Sequence, residues 1–330
     1  MKKICYILSA LAAMMLASCN LDVDSVMPGA QMVADYGFGG SVQFKVWASG
    51  PWTASIGGDE KFKIKMEPMN GPEGEIEVKL EIPENDTVED RMSYIQFTCG
   101  ESSVSTPVYQ YAAHMYYQDE EAFLAKKMKD GNWWTVQNIS YIPEGKNISL
   151  PDFSKNTGIW YPCTTTVAAD GTVSVDYTIS YDAISRQGYF YSYEVVNAAG
   201  EEDSQSICAK GWHIPTEAEW ENLITSYKGN PADGIDVKVL NDDYFNFYPL
   251  QYVQNGSKYS DEVLNFNGEE SFRKLASTGY YFTSAPIEDG DFTAAAISNT
   301  ETGTTLKLTK TSSTNGINLR CVRDLVPPEE

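Results

Sequence analysis

Six cysteines and only two histidines bound the chemistry open to this 330-residue chain. His114 and His213 are too few for a His-rich metal site. Four of the cysteines, Cys99, Cys163, Cys208 and Cys321, lie in the body of the chain. They allow three pairings, and spacing does not choose among them. No Gly-x-Ser-x-Gly elbow, phosphate loop or dinucleotide fingerprint occurs. Carboxylates are plentiful at 46, but the separation that would make two of them a glycosidase acid and base is not written in sequence spacing. We therefore expect no catalytic residues and no resident cofactor.

Cys19 carries a different chemistry. Lys2 and Lys3 precede an uncharged apolar run from Ile4 to Leu16, and Leu16-Ala17-Ser18 leads into the cysteine. This reads as a secretory signal, too short to span a bilayer. The segment resembles a bacterial lipoprotein signal, which implies cleavage after residue 18 and acylation of Cys19. More than one acyl chain is needed for stable anchoring, because a buried CH₂ contributes only ~0.8 kcal/mol. Residues 19–33 read as a flexible tether. Asp22 and Asp24 soon after the cysteine resemble the surface-export signals of Bacteroidetes-type lipoproteins, which implies an outer-membrane anchor and exposure at the cell surface.

Without residues 1–18 the chain keeps 312 residues, comfortable for two domains, and its formal charge moves from −22 to −24. Such a surface repels nucleic acid and anionic headgroups, so nucleic acid is excluded as a partner and the membrane is met only through the lipid. Neutral glycans, cations and basic proteins remain as partners. Aromatic residues make up 12% of the chain, and Gly, Ser, Thr, Asn and Asp clusters cut it into short segments, a β-rich signature.

Over 34–113 the apolar period is two. Val42, Phe44 and Val46 alternate with polar residues, as do Trp52, Ala54 and Ile56, then Phe62, Ile64 and Met66. Ile76 to Ile82 and Ile95, Phe97 and Cys99 repeat the pattern, which predicts a β-sandwich and a buried, inert Cys99. The runs Phe44-Lys45-Val46, Pro51-Trp52-Thr53-Ala54, Tyr94-Ile95-Gln96-Phe97 and Val108-Tyr109-Gln110-Tyr111-Ala112 resemble the BACON domain, an immunoglobulin-like sandwich. That resemblance implies a spacer, or glycan contact through exposed Trp or Tyr. Residues 114–131 read as a connector containing a helix over 119–131, with acids at its start, lysines at its end and Gly131 as its stop.

Residues 132–326 carry the sharpest local pattern. Thr216 and Glu219 have capping-box spacing, and Trp220, Leu223, Ile224 and Tyr227 follow at helical spacing before Gly229. Cys208-Ala209-Lys210-Gly211-Trp212-His213-Ile214-Pro215-Thr216 lies just upstream. With Trp134, Asn138-Ile139-Ser140-Tyr141, Tyr191-Ser192-Tyr193-Glu194, Gly279 to Ser284 and Asn318 to Asp324, this pattern resembles the Fibrobacter succinogenes major paralogous (FISUMP) domain. The resemblance implies a C-type-lectin-like α+β fold whose terminal segments meet, and a Cys208–Cys321 disulfide. Cys163 is left over, and it and Cys99 are expected to stay free. Ile214 to Trp220 also looks like a run in formylglycine-generating enzymes, but those need two adjacent reactive cysteines, and the closing strand offers only Cys321.

The leading expectation is a non-enzymatic surface lipoprotein, mainly β with some α, whose lectin-like domain binds a glycan or protein. Tyr244, Tyr248 and Tyr252, set with Phe245 among Asn241, Asp242 and Asn246, would stack on sugar faces while the polar groups hold hydroxyls. A buried aromatic core would use the same composition. For calcium, the loop Glu288-Asp289-Gly290-Asp291 offers Asp289 and Asp291, although turns favour Asp and Gly for backbone reasons alone. The second expectation is an adhesive tip or accessory subunit of a fimbria-like appendage. A hydrolase is the least favoured.

Overall fold

A computed structural model of the chain describes residues 6–7, 24–149, 157–161, 164–167, 173–176, 188–198, 207–243, 245, 253–254, 278–300 and 303–323. Strands dominate, as composition predicts, and the described helices are α1 (Tyr193–Ala198), α2 (Glu217–Ser226) and α3 (Val237–Asn241). The chain divides into two compact units, 1–115 and 116–330. Cys5, Cys19 and Cys163 lie outside the described residues.

In the first unit, alternation becomes two sheets. One places Val33–Asp35, Ser102–Gln110, Arg91–Cys99, Trp52–Gly58 and Asn70–Gly71 side by side, with the short strand Tyr6–Ile7 at the edge beside Val33–Asp35. The other runs Val26–Pro28, Gly40–Ala48, Gly74–Ile82, Lys65–Glu67. Their inner faces share one core containing Val46, Leu80, Ile95 and Phe97, all sealed from water. Each such side chain contributes about 2 kcal/mol by leaving water. Phe97 is packed edge-on by Phe44 and Trp52 at 6.3 and 5.8 Å, and Cys99 is a buried free thiol on the same face.

Two expectations for this unit are corrected. Residues 24–33 were expected to be tether, yet they supply the strand Val26–Pro28 and lead into Val33–Asp35, with Val26, Ala30 and Val33 buried. Strands of three residues are too short for a period to show in sequence. Ile56 has the inward parity of Trp52 but remains exposed near its strand's end.

In the second unit, a five-stranded sheet runs His114–Gln118, whose first two residues close the first unit, then Glu121–Lys127, Trp133–Thr135, Val322–Arg323, Trp212–His213. A four-stranded sheet runs Ile235–Asp236, Gly303–Ser312, Asp291–Thr300, Thr278–Phe282. The expected helix over 119–131 is instead the hairpin strand Glu121–Lys127, paired with Trp133–Thr135 through Ala125↔Thr135 and Lys127↔Trp133. Phe123 and Ala125 are buried, and so is Lys126 from the opposite parity, so the strand is covered on both faces. Pairing and burial override the helix propensity of Ala, Leu and Lys. Gly131 is the turn residue between the two strands, at φ 88°, rather than a helix stop.

The opening of α2 is as its sequence predicts. Glu219 N–H donates to Thr216 Oγ1 at 3.2 Å, and Thr216 N–H donates to the Glu219 carboxylate at 2.8 Å. Trp220, Leu223, Ile224 and Tyr227 are buried. Its end differs in detail. Lys228, not Gly229, takes the left-handed conformation at φ 66°. Gly229 N–H reaches Ile224 O and Lys228 N–H reaches Thr225 O, both at 2.9 Å, which is a Schellman closure. A glycine is needed at 229 because a Cβ there would press on Ile224 and Ile235.

The Cys208–Cys321 disulfide is present, with Cα atoms 5.9 Å apart, and it spans 113 residues. Closing a loop of that length is worth ~4–5 kcal/mol in the chain-entropy account. Because a non-glycine residue in the left-handed region is strained, Lys228→Gly should stabilise the second unit by about 1 kcal/mol. Urea unfolding would read this as a higher midpoint at unchanged slope.

Candidate functional site

The corrected hairpin forms one wall of a shallow surface recess. Gln118, Glu121, Ala122 and Phe123 face Gln137, Asn138, Ile139, Ser140 and Tyr141 across it. The second wall follows the strand Trp133–Thr135 and is irregular backbone, so other elements must hold it. Val136 N–H donates to Leu124 O at 2.9 Å and Ile139 N–H to Leu319 O at 3.0 Å, while Tyr189 N–H donates to Ile139 O at 3.0 Å. From beneath, the fully buried Tyr191 hydroxyl donates to Tyr141 O at 2.8 Å.

Asp119, at φ 53° in the hairpin turn, accepts the Tyr141 hydroxyl at 2.8 Å and so ties the two walls together. Burial and then this carboxylate push the Tyr141 phenol well above its ordinary value. Burial beside Asp119 likewise raises the Glu121 carboxyl, although Glu121 keeps much of its surface in water. The recess therefore offers amides from Gln118, Gln137 and Asn138, a serine hydroxyl, the Glu121 carboxylate, and the aromatic sides of Phe123 and Tyr141. Such a set exchanges hydrogen bonds with a polyhydroxylated or amide-bearing ligand. It contains no cysteine or histidine.

The described residues among those singled out in sequence fall elsewhere. Asp242 pairs with Lys238 on the exposed side of α3, and Asn241 ends that helix half-buried. Their neighbour Asp243 accepts from the buried Lys126 ammonium and from the Tyr227 hydroxyl. Phe245 is sealed in the core against Trp134 and Arg320, at 5.7 and 5.1 Å. The described part of the aromatic segment thus serves packing, while Tyr244, Asn246, Tyr248 and Tyr252 lie outside the described residues. Asp289 and Gly290 are the two central residues of a tight hairpin turn, at φ 53° and 89°, with Glu288 and Asp291 bridged across it. Asp-Gly is the sequence that such a turn prefers, which accounts for the acidic loop. Among the described residues no group of three or more His, Cys, Asp or Glu side chains is placed to hold a metal ion.

His213 sits beside Glu219, its Nε2 2.9 and 3.1 Å from the two carboxylate oxygens. Burial alone would raise Glu219, but hydrogen bonds from His213 and Thr216 hold its carboxyl below the ordinary range. This pair fixes the start of α2. Sequence reasoning missed Glu121 and Gln137 because one sat in an assumed helix and the other between motifs. The signal available was Asn138-Ile139-Ser140-Tyr141, which does form a wall.

The fold and recess describe a β-rich domain closed by a disulfide and presenting a polar, aromatic-lined surface. The chain belongs to the Fibrobacter succinogenes major domain family, whose model matches residues 129–323. Domains of this family are typical of surface proteins, and no helix among the described residues is long and apolar enough to cross a membrane. No curated protein matches the chain. Similar solved structures include a Bacteroides ovatus GH5 xyloglucanase in complex with a XXXG heptasaccharide, at 15% identity and TM-score 0.27, covering 66% of this chain and 44% of that one. The chain thus spans less than half of the xyloglucanase's length. A C. elegans MSP family member matches at 8% identity and TM-score 0.21, over 26% of this chain and 96% of its own. A chaperone–tip adhesin complex of CFA/I fimbriae matches at 7% and 0.23, over 46% and 79%. Likenesses this remote carry no functional argument.

Because the Glu121 carboxyl is raised in the folded state, the stability it confers is present below its unfolded pKa and is lost as pH rises through its folded pKa. Glu121→Gln should therefore unfold at a higher temperature than the wild type at neutral pH and at the same temperature in mild acid. Thermal melts across that range measure the convergence.

Proposed function

We propose that the protein is an outer-membrane surface lipoprotein, anchored by acyl chains on Cys19, whose second unit is a non-enzymatic, lectin-like binding domain for a glycan or protein. The observation that carries this reading is the recess between Gln118–Phe123 and Gln137–Tyr141, with its amides, the Glu121 carboxylate and the tyrosine that Asp119 holds. The first unit, a BACON-like sandwich in this reading, is a spacer between the anchored Cys19 and the second unit. The strongly negative chain favours neutral ligands over anionic ones.

Two measurements test the reading. Labelling cells with a palmitate analogue should mark the wild-type protein and not Cys19→Ala; an unlabelled wild type would remove the anchor. On a glycan array, the chain should bind neutral oligosaccharides, and Glu121→Ala or Gln137→Ala should weaken binding about tenfold, as expected for losing one hydrogen bond to a charged or buried polar partner. Loss in Tyr248→Ala with retention in both recess variants would move the site to the 241–252 segment.

A further inference from the structure

The two outer faces of the first unit's sandwich are unlike. On the sheet built around Gly40–Ala48 and Gly74–Ile82, outward positions carry Lys45, Lys79, Glu75 and Glu81, exposed and ion-paired at 2.6 and 2.7 Å. This is the ordinary dress of a solvated sheet. On the other sheet, the outward positions of four adjacent strands hold no charged residue. Their ladder reads in rows: Thr53, Thr98 and Ser103; Ser55, Gln96 and Ser105; Gly57, Tyr94 and Pro107; Met92, Tyr109 and Ala34. Beyond the last row, Tyr111 stacks on Tyr36 at 5.1 Å.

Tyr94, Tyr109, Tyr111 and Met92 are 39, 37, 39 and 48% exposed among the described residues of the first unit. Tyr94 lies flat over Gly57, where any Cβ would collide with its ring, and Gln96 donates to Ser103 at 2.8 Å. The face is therefore ordered as well as neutral. Tyrosine, serine and glutamine supply amphipathic contact area at small entropic cost. An uncharged, partly apolar sheet face is one that monomeric proteins ordinarily avoid.

We propose that this face is the contact between two copies of the chain. Charge selects the occupant. Each copy carries −22, or −24 without residues 1–18, so two copies repel wherever carboxylates meet, and this face lets them approach without opposing like charges. A basic partner would find no carboxylate on it. Strands of three, nine, nine and seven residues, at ~3.3 Å per residue and ~4.8 Å spacing, give about 450 Å² per copy, so the paired sheets bury roughly 900 Å², the size of a weak, transient contact. The same patch on both partners makes the contact isologous, and it closes at a dimer. An interface of that size is weak in dilute solution. It becomes populated where the chains are concentrated, as on one membrane surface.

The test is sedimentation of the full chain over a range of concentration and salt. A self-association between like-charged chains through a neutral face strengthens as salt screens the net repulsion. We expect a monomer–dimer equilibrium that tightens with salt, is weakened at least tenfold by Tyr94→Glu with Tyr109→Glu, and is unchanged by Trp47→Glu on the opposite face. Unchanged melting temperatures would show that both variants fold. A chain that stays monomeric at every concentration and salt, or a dimer that survives Tyr94→Glu with Tyr109→Glu, overturns the proposal. So does a neutral polysaccharide that binds the wild-type monomer independently of salt and is lost in the double variant.

Discussion

The second unit depends on how its last strand is tied to the strand Trp133–Thr135. Trp134 pairs with Val322, Thr135 N–H donates to Cys321 O at 2.9 Å, and Cys321 N–H returns to Thr135 Oγ1 at 3.0 Å. Between them Arg320 is fully buried, donates to Thr135 O at 2.9 Å, and lies over the faces of Phe245 and Tyr281 at 5.1 and 5.7 Å. Burial pulls its pKa down to about 10, still high enough to keep the charge at neutral pH. A buried cation must be held by carbonyls and ring faces, so the aromatic wealth of this unit is partly a consequence of one arginine. The disulfide at the next residue then fixes the same strand to Cys208, ahead of Trp212–His213.

The recess inherits its rigidity from this closure. Its irregular wall hangs from Leu319 O through Ile139 N–H, one residue before the arginine. On the other side, Lys126 is buried against Asp243, which also accepts the Tyr227 hydroxyl. Both ions are mostly out of water, so removing either would strand the other at a cost of about 3–5 kcal/mol. The pair pins the hairpin strand to the end of α3 and thereby sets where Glu121 and Phe123 can stand.

Much of this was legible in the residues, for physical reasons that differ from one element to the next. Period two over Val42–Val46 and Ile95–Cys99 is enforced by a core on one face only, so sequence reports it directly. The opening of α2 was legible because capping is local: Thr216 and Glu219 satisfy each other's backbone within one turn. Lys126 was not legible. Its neighbours Ala125 and Lys127 suit a helix surface, and only a carboxylate 117 residues away makes a buried lysine tolerable. Asp243 was hidden for the same reason, and its acidic neighbours suggested a ligand loop where the structure has an internal counter-ion. Phe245 belonged to a composition that suits a binding face and a core equally, and burial decides for the core.

The carboxyls of the second unit also divide by environment rather than by sequence. Glu219 is held low by His213 and Thr216 against the effect of burial, so its stabilising contribution is present above its unfolded pKa and lost as pH falls through its folded one. Asp130 is raised by burial despite accepting from Trp134 Nε1 at 2.9 Å, and Glu121 is raised by burial beside Asp119. Their contributions run the opposite way and are lost as pH rises. Acidification therefore weakens the start of α2 while it relieves the hairpin that forms the recess. In mild acid the recess should keep its shape longer than α2 keeps its cap, because a neutral Glu121 no longer bears the cost of a partly buried charge, to which repulsion from Asp119 adds.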